Sequence, residues 1–340
     1  MKYPEFLNKG KIGVCAPSLG CTIDPYLTRC ESAVKTLTKK GHEIVFSESC
    51  FEQEKCRSAP AEIRAKEFEE MYFRKDIDAV ISMAGGEFMM EILPYINFNK
   101  LKTATPKFFM GSSDNTNLTF LLSVNCDIAS IYGVCFPTFG MKKWHPAVND
   151  NYDLLTGKKL SFSSYKKYET ENPHKKEEGH ELDGYYCTEK VKWEILTGEK
   201  EVSLKGRIIG GCLDVLTHLV GTKFCKIDDF NKRYKDDGII WYLEFCDLNV
   251  LEQVRSLWLL KENGWFKNVK GFLIGRPQLT ETMMDIDYKE AVISQLKDFN
   301  VPIIIDVDVG HVAPSIPILN GSVAKVDVKN GKGNIEFLLI

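Results

Sequence analysis

The chain has 340 residues, of which 44% are hydrophobic and 27% are charged, and its formal net charge is -3. This composition is typical of a globular protein with a full apolar core, and the length predicts two domains. The mild acidity excludes the basic surface that nucleic-acid binding requires. The first residues lack the apolar region of a signal peptide, and no apolar run approaches the roughly 18–20 residues of a membrane span. We therefore expect a cytoplasmic protein that binds neither nucleic acid nor membrane.

The chain contains eleven cysteines, but their spacing is not that of a metal site. No Cys-x-x-Cys pair occurs, and an odd number of cysteines argues against a full disulfide framework. Cys15, Cys135 and Cys246 lie in or beside apolar runs, where a thiol acts as a small hydrophobic group. These features predict a reducing compartment and no bound metal or other cofactor.

The first half of the chain alternates short apolar runs with amphipathic stretches. This alternation is typical of βαβ units, in which helices connect the strands of a parallel sheet. It therefore predicts an α/β domain with a doubly wound parallel sheet. The predicted strands are 11–17, 43–46, 77–83, 107–110 and 128–135, and the predicted helices are 26–40, 61–74 and 115–124.

A polar segment, residues 169–183, separates the two halves of the chain. It has almost no apolar residue to bury, which predicts a linker, although a long surface loop within one domain is the alternative. We divide the chain into an N-terminal α/β domain (1–168), the linker (169–183) and a C-terminal β/α domain (184–340). In the C-terminal domain, strands are predicted at 206–209, 238–244, 269–275, 303–307, 323–328 and 334–340, with Asn330-Gly331 as a hairpin turn, and helices at 212–220 and 250–263.

A serine lies at a predicted junction of strand, turn and helix. Ser113 follows an apolar strand and precedes an apolar helix. Such a turn lifts a hydroxyl above the end of the sheet, where the next backbone N–H and the helix N-terminus can stabilise a developing negative charge. The G-x-S-x-G pattern is absent, because Asn115 occupies the position of the second glycine. The alternative, which the local sequence supports equally, is that Ser112, Ser113 and Asp114 only cap the helix.

Two consecutive glycines follow the predicted strand at 77–83. Gly85 and Gly86 leave room for a backbone N–H to approach a ligand, so one of them could donate a hydrogen bond to an oxyanion. The alternative is an ordinary turn between a strand and a helix. No G-x-G-x-x-G motif occurs, which argues against a dinucleotide cofactor.

A nucleophilic serine needs a base, and the base needs an orienting acid. Among six histidines, His311 is the strongest candidate, because it follows a predicted strand at the edge where α/β sheets bind ligands. A buried structural histidine is the alternative. Glu244 ends a strongly apolar strand, where a carboxylate needs a partner such as histidine. Asp247 competes as the acid, but it is better placed to cap the following helix.

These segments together resemble the LD-carboxypeptidase family of serine peptidases, and within it the branch of microcin C self-immunity proteins. The resemblance extends over nearly the whole chain. It rests on Gly13-Val-Cys-Ala-Pro-Ser18, Gly85-Gly86, Gly111-Ser-Ser-Asp114, Gly206-Arg-Ile-Ile-Gly-Gly-Cys-Leu-Asp214, Leu243-Glu244 and Gly310-His311, which occur in the order of the family.

The resemblance implies that Ser113 is the nucleophile, Glu244 the orienting acid and His311 the general base. It implies a doubly wound N-terminal domain and a smaller C-terminal β/α domain of the swivelling type. The serine would then lie in one domain and its partners in the other, with the site in the cleft between them. A homodimer is also implied.

The resemblance further implies that the oxyanion donors are the N–H groups of Gly85 or Gly86 and of Asp114. One residue departs from the family pattern. Ser112 stands where the family has an aromatic residue before the nucleophile, which leaves a smaller side chain and a second hydroxyl beside Ser113.

The predicted function is hydrolysis of an amide through an acyl-enzyme. The resemblance implies two substrate classes: the L,D-peptide bond of cell-wall muropeptides, or the amide of an aminoacyl nucleotide. Trp193 is predicted either to stack on a nucleotide base or, in the alternative that we prefer, to pack as an ordinary aromatic residue. A binding protein of the same fold without turnover is the alternative to an enzyme.

Overall fold

The N-terminal half of the chain forms a parallel sheet covered by helices. A computed structural model describes residues 1–173 and 177–340. The strands are β1 (Lys11–Cys15), β2 (Glu43–Phe46), β3 (Ala79–Ser82), β4 (Phe108–Gly111) and β5 (Ser130–Tyr132), and the helices are α1 (Tyr26–Lys39), α2 (Ala61–Phe73), α3 (Phe98–Thr103), α4 (Thr116–Cys126) and α5 (Pro146–Leu155).

The strand order is β2-β1-β3-β4-β5, and every neighbouring pair in it is parallel. This confirms the predicted doubly wound α/β fold. Because helices cover both faces of the sheet, consecutive residues along a strand are apolar and buried. In β4, for example, Phe108, Phe109 and Met110 have no exposed surface. From β1 the sheet extends to one side with β2 and to the other side with β3, so the strand order reverses between β1 and β3. Ligands bind open α/β sheets at the carboxyl ends of the strands where the order reverses.

The C-terminal half forms a larger sheet of mixed direction. The remaining elements are β6 (Ser161–Ser163), β7 (Lys167–Tyr168), β8 (Glu189–Lys190), β9 (Glu194–Ile195), β10 (Glu201–Cys212), α6 (Leu213–Leu219), α7 (Ile227–Arg233), β11 (Ile239–Glu244), α8 (Val250–Glu262), β12 (Val269–Gly275), α9 (Tyr288–Leu296), β13 (Ile303–Val307), β14 (Ile318–Asn320), β15 (Val323–Lys329) and β16 (Lys332–Leu338). The strand order of the larger sheet is β6-β16-β15-β10-β11-β12-β13-β9, in which β10 to β13 are parallel and the other pairs are antiparallel, while β7 and β8 pair separately.

The predicted hairpin at the end of the chain is confirmed. Strands β15 and β16 pair antiparallel around Asn330 and Gly331. Both turn residues have positive φ, 52° and 74°, as a two-residue hairpin turn requires.

Each sheet takes one short strand from the other half of the chain. Strand β6 pairs with β16 in the C-terminal sheet, whereas β14 pairs antiparallel with β5 in the N-terminal sheet. The sequence did not predict β14, because it has only three residues and follows a proline-containing loop. The division at 1–168, 169–183 and 184–340 stays a prediction, and the two exchanged strands cross it.

The polar segment at 169–183 packs into neither core. Every residue that is described in it is at least partly exposed, and residues 174–176 lie outside the described residues. Near one end of the segment, the Glu169 N–H donates to Ala313 O at 2.7 Å, and near the other, Leu182 O accepts from the Lys142 N–H at 2.8 Å. These bonds hold the segment against both halves of the chain.

The eleven cysteines are all free thiols, so no disulfide holds this fold. Among the helices of residues 1–173 and 177–340, none combines the length and the apolar character that crossing a bilayer requires.

Helix α4 joins the two halves through its apolar surface. Every residue of α4 is buried, and its Phe120 ring stacks on Trp265 at a centroid distance of 5.5 Å. Phe120 also packs against Trp241 in β11. Since α4 begins directly after the turn at Ser113, this packing fixes that turn against the C-terminal sheet.

Replacing Phe120 with alanine would leave a cavity between the halves. We expect Phe120→Ala to lower the free energy of unfolding by about 3–5 kcal/mol, measured by urea denaturation. Phe51→Ala is the matched control, because Phe51 is 46% exposed, and its cost should stay below about 1 kcal/mol. Equal costs for the two variants would show that the Phe120 contact contributes no special stability.

Candidate active site

Ser113 lies at a strained turn directly after β4. Its φ is +62°, in the left-handed region that side chains other than glycine rarely adopt. Its backbone N–H donates to the Tyr132 hydroxyl at 2.9 Å. Neither Ser112 nor Asn115 makes a side-chain cap bond to the helices that begin here. The described contacts therefore give no support to the alternative in which these residues only cap the helix.

Asp114 is held by three hydrogen bonds from neighbouring segments. Its carboxylate accepts from Ser18 Oγ at 2.5 Å, from the Met89 N–H at 2.8 Å and from Asn117 Nδ2 at 3.0 Å. Burial raises the pKa of Asp114, and the hydrogen bonds from Ser18 and Met89 oppose that effect. The side chain thus ties the turn at Ser113 to the loops after β1 and β3.

Of the two glycines after β3, Gly85 lies against Ser113, whereas Gly86 lies against Ser18 and Leu19. A Cβ atom at Gly85 would lie 2.9 Å from Ser113 Cβ and 3.2 Å from Ser113 Oγ, so only glycine permits this approach. Within the described residues, the N–H groups of Gly85, Gly86 and Asp114 donate to no protein acceptor. Asp114 directly follows Ser113, and Gly85 packs against its side chain, so the N–H groups expected to bind an oxyanion make no competing bond among the described residues.

Glu244 and His311 form a buried pair. Glu244 ends β11 with no exposed surface, and its Oε2 lies 2.8 Å from His311 Nδ1. The His311 side chain is 20% exposed, so one edge of the ring reaches the cleft. Gly310 permits the close contact: its φ is +111°, and a Cβ there would lie 2.6 Å from Glu244 Oε2.

The pair shifts both of its pKa values. Burial acts to raise the pKa of Glu244, but the charge of His311 and the hydrogen bonds from His311 and Tyr132 outweigh burial and lower it. Burial acts to lower the pKa of His311, but the Glu244 carboxylate and a hydrogen bond with Cys246 outweigh burial and raise the pKa well above its ordinary value. The imidazolium form is therefore stabilised.

No hydrogen bond joins Ser113 Oγ to His311 among the described residues. The connection between the two sides runs through Tyr132, whose hydroxyl donates to Glu244 Oε1 at 2.5 Å while it accepts from the Ser113 N–H. The Cys135 thiol interacts with Ser112 and with the charge of His311. The structure thus brings the serine, acid and histidine to one region between the two sheets.

One group of side chains could offer ligands to a metal ion. Donor atoms of Cys212, Glu244 and His311 lie within 4.8 Å of one another, and thiol, carboxylate and imidazole are the usual ligands of zinc. The carboxylate and the imidazole already bond to each other, and Cys212 Sγ lies 3.4 Å from Asp214 Oδ2. All three side chains therefore have partners within the protein, and their positions need no metal ion to explain them.

Trp193 does not line this region. Its side chain is 1% exposed, and its indole N–H donates to Asp308 Oδ2 at 3.0 Å. Gly333 packs on the indole so closely that a Cβ would lie 1.9 Å from it. The indole N–H of Trp193 is thus hydrogen-bonded, and its ring is buried against Gly333. This burial corrects the predicted stacking on a nucleotide base and agrees with the alternative of ordinary aromatic packing.

Sequence reasoning assigned no role to Tyr132. It lies at the carboxyl end of β5 and pairs with Gly111, the last residue of β4, two residues before Ser113. Its position at a strand end, next to the strand that precedes Ser113, was the available signal.

The raised pKa of His311 can be measured directly. By NMR of the imidazole, assigned with His311→Ala, we expect His311 to titrate above about 6.5. In Glu244→Gln the negative charge is lost while burial remains, so the pKa should fall. Glu62→Gln, at an exposed position in α2, should leave it unchanged. An unshifted pKa in Glu244→Gln would contradict the assigned cause.

Comparison with known proteins identifies the family. The N-terminal domain model of LD-carboxypeptidases matches residues 12–133, and the C-terminal domain model matches residues 205–326. The microcin C7 self-immunity protein MccF of Escherichia coli is 24% identical over 316 residues, covering 87% of this chain and 85% of MccF.

Two further proteins are similar over almost their full lengths. A probable murein peptide carboxypeptidase of Bacillus subtilis (strain 168) is 24% identical over 346 residues, which cover 98% of this chain and 94% of that protein. A solved structure of MccF in complex with glutamyl sulfamoyl guanosine has a TM-score of 0.80 at 23% identity and covers 98% of both chains. This likeness confirms the two-domain α/β fold. Since the two family models together match well over half of the sequence, the chain belongs to the LD-carboxypeptidase family of serine-type hydrolases.

Proposed function

We propose that the protein hydrolyses an amide bond by acyl transfer to Ser113, with His311 as the general base and Glu244 as the acid that orients it. The observation that carries the proposal is the buried Glu244–His311 contact of 2.8 Å, in the region where the strained Ser113 turn also lies. A histidine held by a carboxylate, in the same region as a half-buried serine at a strained turn, supports acyl transfer as the chemistry.

In this mechanism each group has a defined task. His311 accepts the proton of Ser113 as the hydroxyl attacks the carbonyl carbon, and the oxyanion binds the N–H groups of Asp114 and of Gly85 or Gly86. When the tetrahedral intermediate collapses, the leaving nitrogen takes the proton from His311. Water then attacks the acyl-enzyme by the same route. The Ser113–His311 hydrogen bond forms when substrate binds, since such contacts are often longer in unliganded enzymes.

The leaving group would bind beside His311, because the histidine delivers its proton there. A cavity of about 590 Å³ opens at this place, and its described charged side chains are Glu169, Arg276 and Asp306, apart from His311 itself. Arg276 forms an ion pair with Asp308 and donates to Asp306 O at 2.6 Å, so its charge is already balanced. The described lining thus disfavours a leaving group with a free carboxylate.

This charge distribution supports an aminoacyl nucleotide over a muropeptide as the substrate. A terminal D-amino acid leaves with a free carboxylate, whereas a nucleoside leaves with an aromatic base that Tyr168 and Tyr288 could contact in the same cavity. The complex of MccF with glutamyl sulfamoyl guanosine agrees with this choice. The family resemblance further supports a homodimer. The free cysteines support a reducing compartment, the cytoplasm, as the place where the protein acts.

Loss of the nucleophile should abolish turnover and spare the fold. We expect Ser113→Ala to lower kcat for an aminoacyl sulfamoyl adenosine by roughly 10⁴-fold or more. Ser112→Ala is the matched control and should retain most activity. Reversed behaviour of the two variants would assign the nucleophile to Ser112. A wild-type protein that binds the compound without cleaving it would favour the binding-protein alternative.

The leaving-group preference can be tested with matched substrates. For one aminoacyl group, we expect kcat/KM for a D-alaninamide leaving group to exceed that for D-alanine by about 10-fold, because the free carboxylate meets Glu169 and Asp306. Glu169→Gln should reduce the ratio of the two kcat/KM values, because it removes one negative charge from the cavity. Glu171→Gln, at an exposed position outside the cavity, should leave this ratio unchanged. A preference for the free carboxylate would return the choice to muropeptides.

A further inference from the structure

The Tyr132 hydroxyl connects the two sides of the proposed site. It accepts from the Ser113 N–H at 2.9 Å and donates to Glu244 Oε1 at 2.5 Å. The side chain is 1% exposed, so both bonds form away from water. One bond of the hydroxyl thus goes to the turn of the proposed nucleophile, and the other goes to the proposed orienting acid.

The backbone of Tyr132 lies between the same two parts of the chain. In the sheet it pairs with Gly111, two residues before Ser113, on one side. On the other side it pairs with Ile318, at the end of the segment that begins at His311. The residue therefore contacts the nucleophile strand and the strand that follows the base, in addition to its side-chain bonds.

These bonds have two physical consequences. The left-handed φ of Ser113 is unfavourable for a serine, and the bond to Tyr132 helps to hold it. Because this bond uses the Ser113 N–H, that group is not an oxyanion donor. The second bond satisfies Glu244 Oε1, so the other oxygen, Oε2, is directed to His311.

We propose that Tyr132 is a positioning residue whose hydroxyl fixes the Ser113 turn and the Glu244 carboxylate relative to each other. The inference rests on the proposed function. Burial and the charge of Glu244 raise the pKa of Tyr132 well above its ordinary value. The hydroxyl therefore stays protonated and remains a donor to the carboxylate wherever the enzyme works.

The test uses an alkyl fluorophosphonate, which reacts with an activated serine and requires no knowledge of the substrate. We expect Tyr132→Phe to be labelled about 10- to 100-fold more slowly than wild type, the effect of losing a hydrogen bond to a charged group. The midpoint of the pH dependence should also rise, because Glu244, without this donor, holds the imidazolium of His311 more strongly. A purely structural role would reduce the amount of reactive protein and leave the midpoint unchanged.

Tyr242→Phe is the matched control. Tyr242 is fully buried, its ring lies 5.6 Å from that of Tyr132, and its hydroxyl bonds to none of Ser113, Glu244 and His311 among the described residues. Its labelling rate and pH midpoint should equal those of wild type.

A second variant keeps the test valid if Tyr132→Phe does not fold. Replacing Tyr132 with 3-fluorotyrosine retains the shape and strengthens the hydroxyl as a donor, so the midpoint should move down rather than up. Equal midpoints in wild type and the folded Tyr132 variants would overturn the inference alone. A wild-type protein whose labelling does not depend on Ser113 would instead overturn the proposed function.

Discussion

A carboxylate with no exposed surface must be balanced by its neighbours, and Glu244 is such a carboxylate. Removing an ion from water costs several kcal/mol, which only well-placed partners offset. The two oxygens of Glu244 have different partners, His311 on one and the Tyr132 hydroxyl on the other. Because Tyr132 belongs to the N-terminal sheet and Glu244 to the C-terminal sheet, the requirement to satisfy one buried group also brings the two halves of the chain together.

The backbone around this carboxylate is adapted to it. Gly275 and Gly310 approach so closely that a Cβ atom at either would lie within 3.0 Å of Glu244. Strand β14, a few residues after His311, joins the N-terminal sheet beside Tyr132. The histidine loop is therefore fixed at one end by the C-terminal sheet and at the other by the N-terminal sheet. This double attachment places His311 in the same region as the Ser113 turn.

The sequence was sufficient for features that depend on local pattern. The strands at 43–46, 269–275 and 303–307 match the structure at both ends, because each is a mainly apolar run of strand length that is rich in β-branched or aromatic residues. Ser113, Glu244 and His311 were predicted as site residues for a related reason, since each lies at or just after the end of such a run, and this assignment stays a prediction.

The sequence was insufficient where the partner is distant. Tyr132 and Glu244 are 112 residues apart, and nothing near Tyr132 indicates that a carboxylate from the other sheet will reach it. Trp193 meets Asp308, 115 residues away, and this contact decides between stacking on a ligand and packing in the core. Strand β14 is too short for its own pattern to show, and only its pairing with β5 makes it a strand.

The central claim is that Ser113, activated through His311, is the one serine that forms the covalent intermediate. Peptide mapping by mass spectrometry after reaction with an alkyl fluorophosphonate tests it most directly. The account predicts a single adduct on the peptide that contains residues 112 and 113, with fragment ions that place it on Ser113, and its loss in His311→Ala. An adduct on Ser112, on another serine, or one that forms equally in His311→Ala would contradict the account.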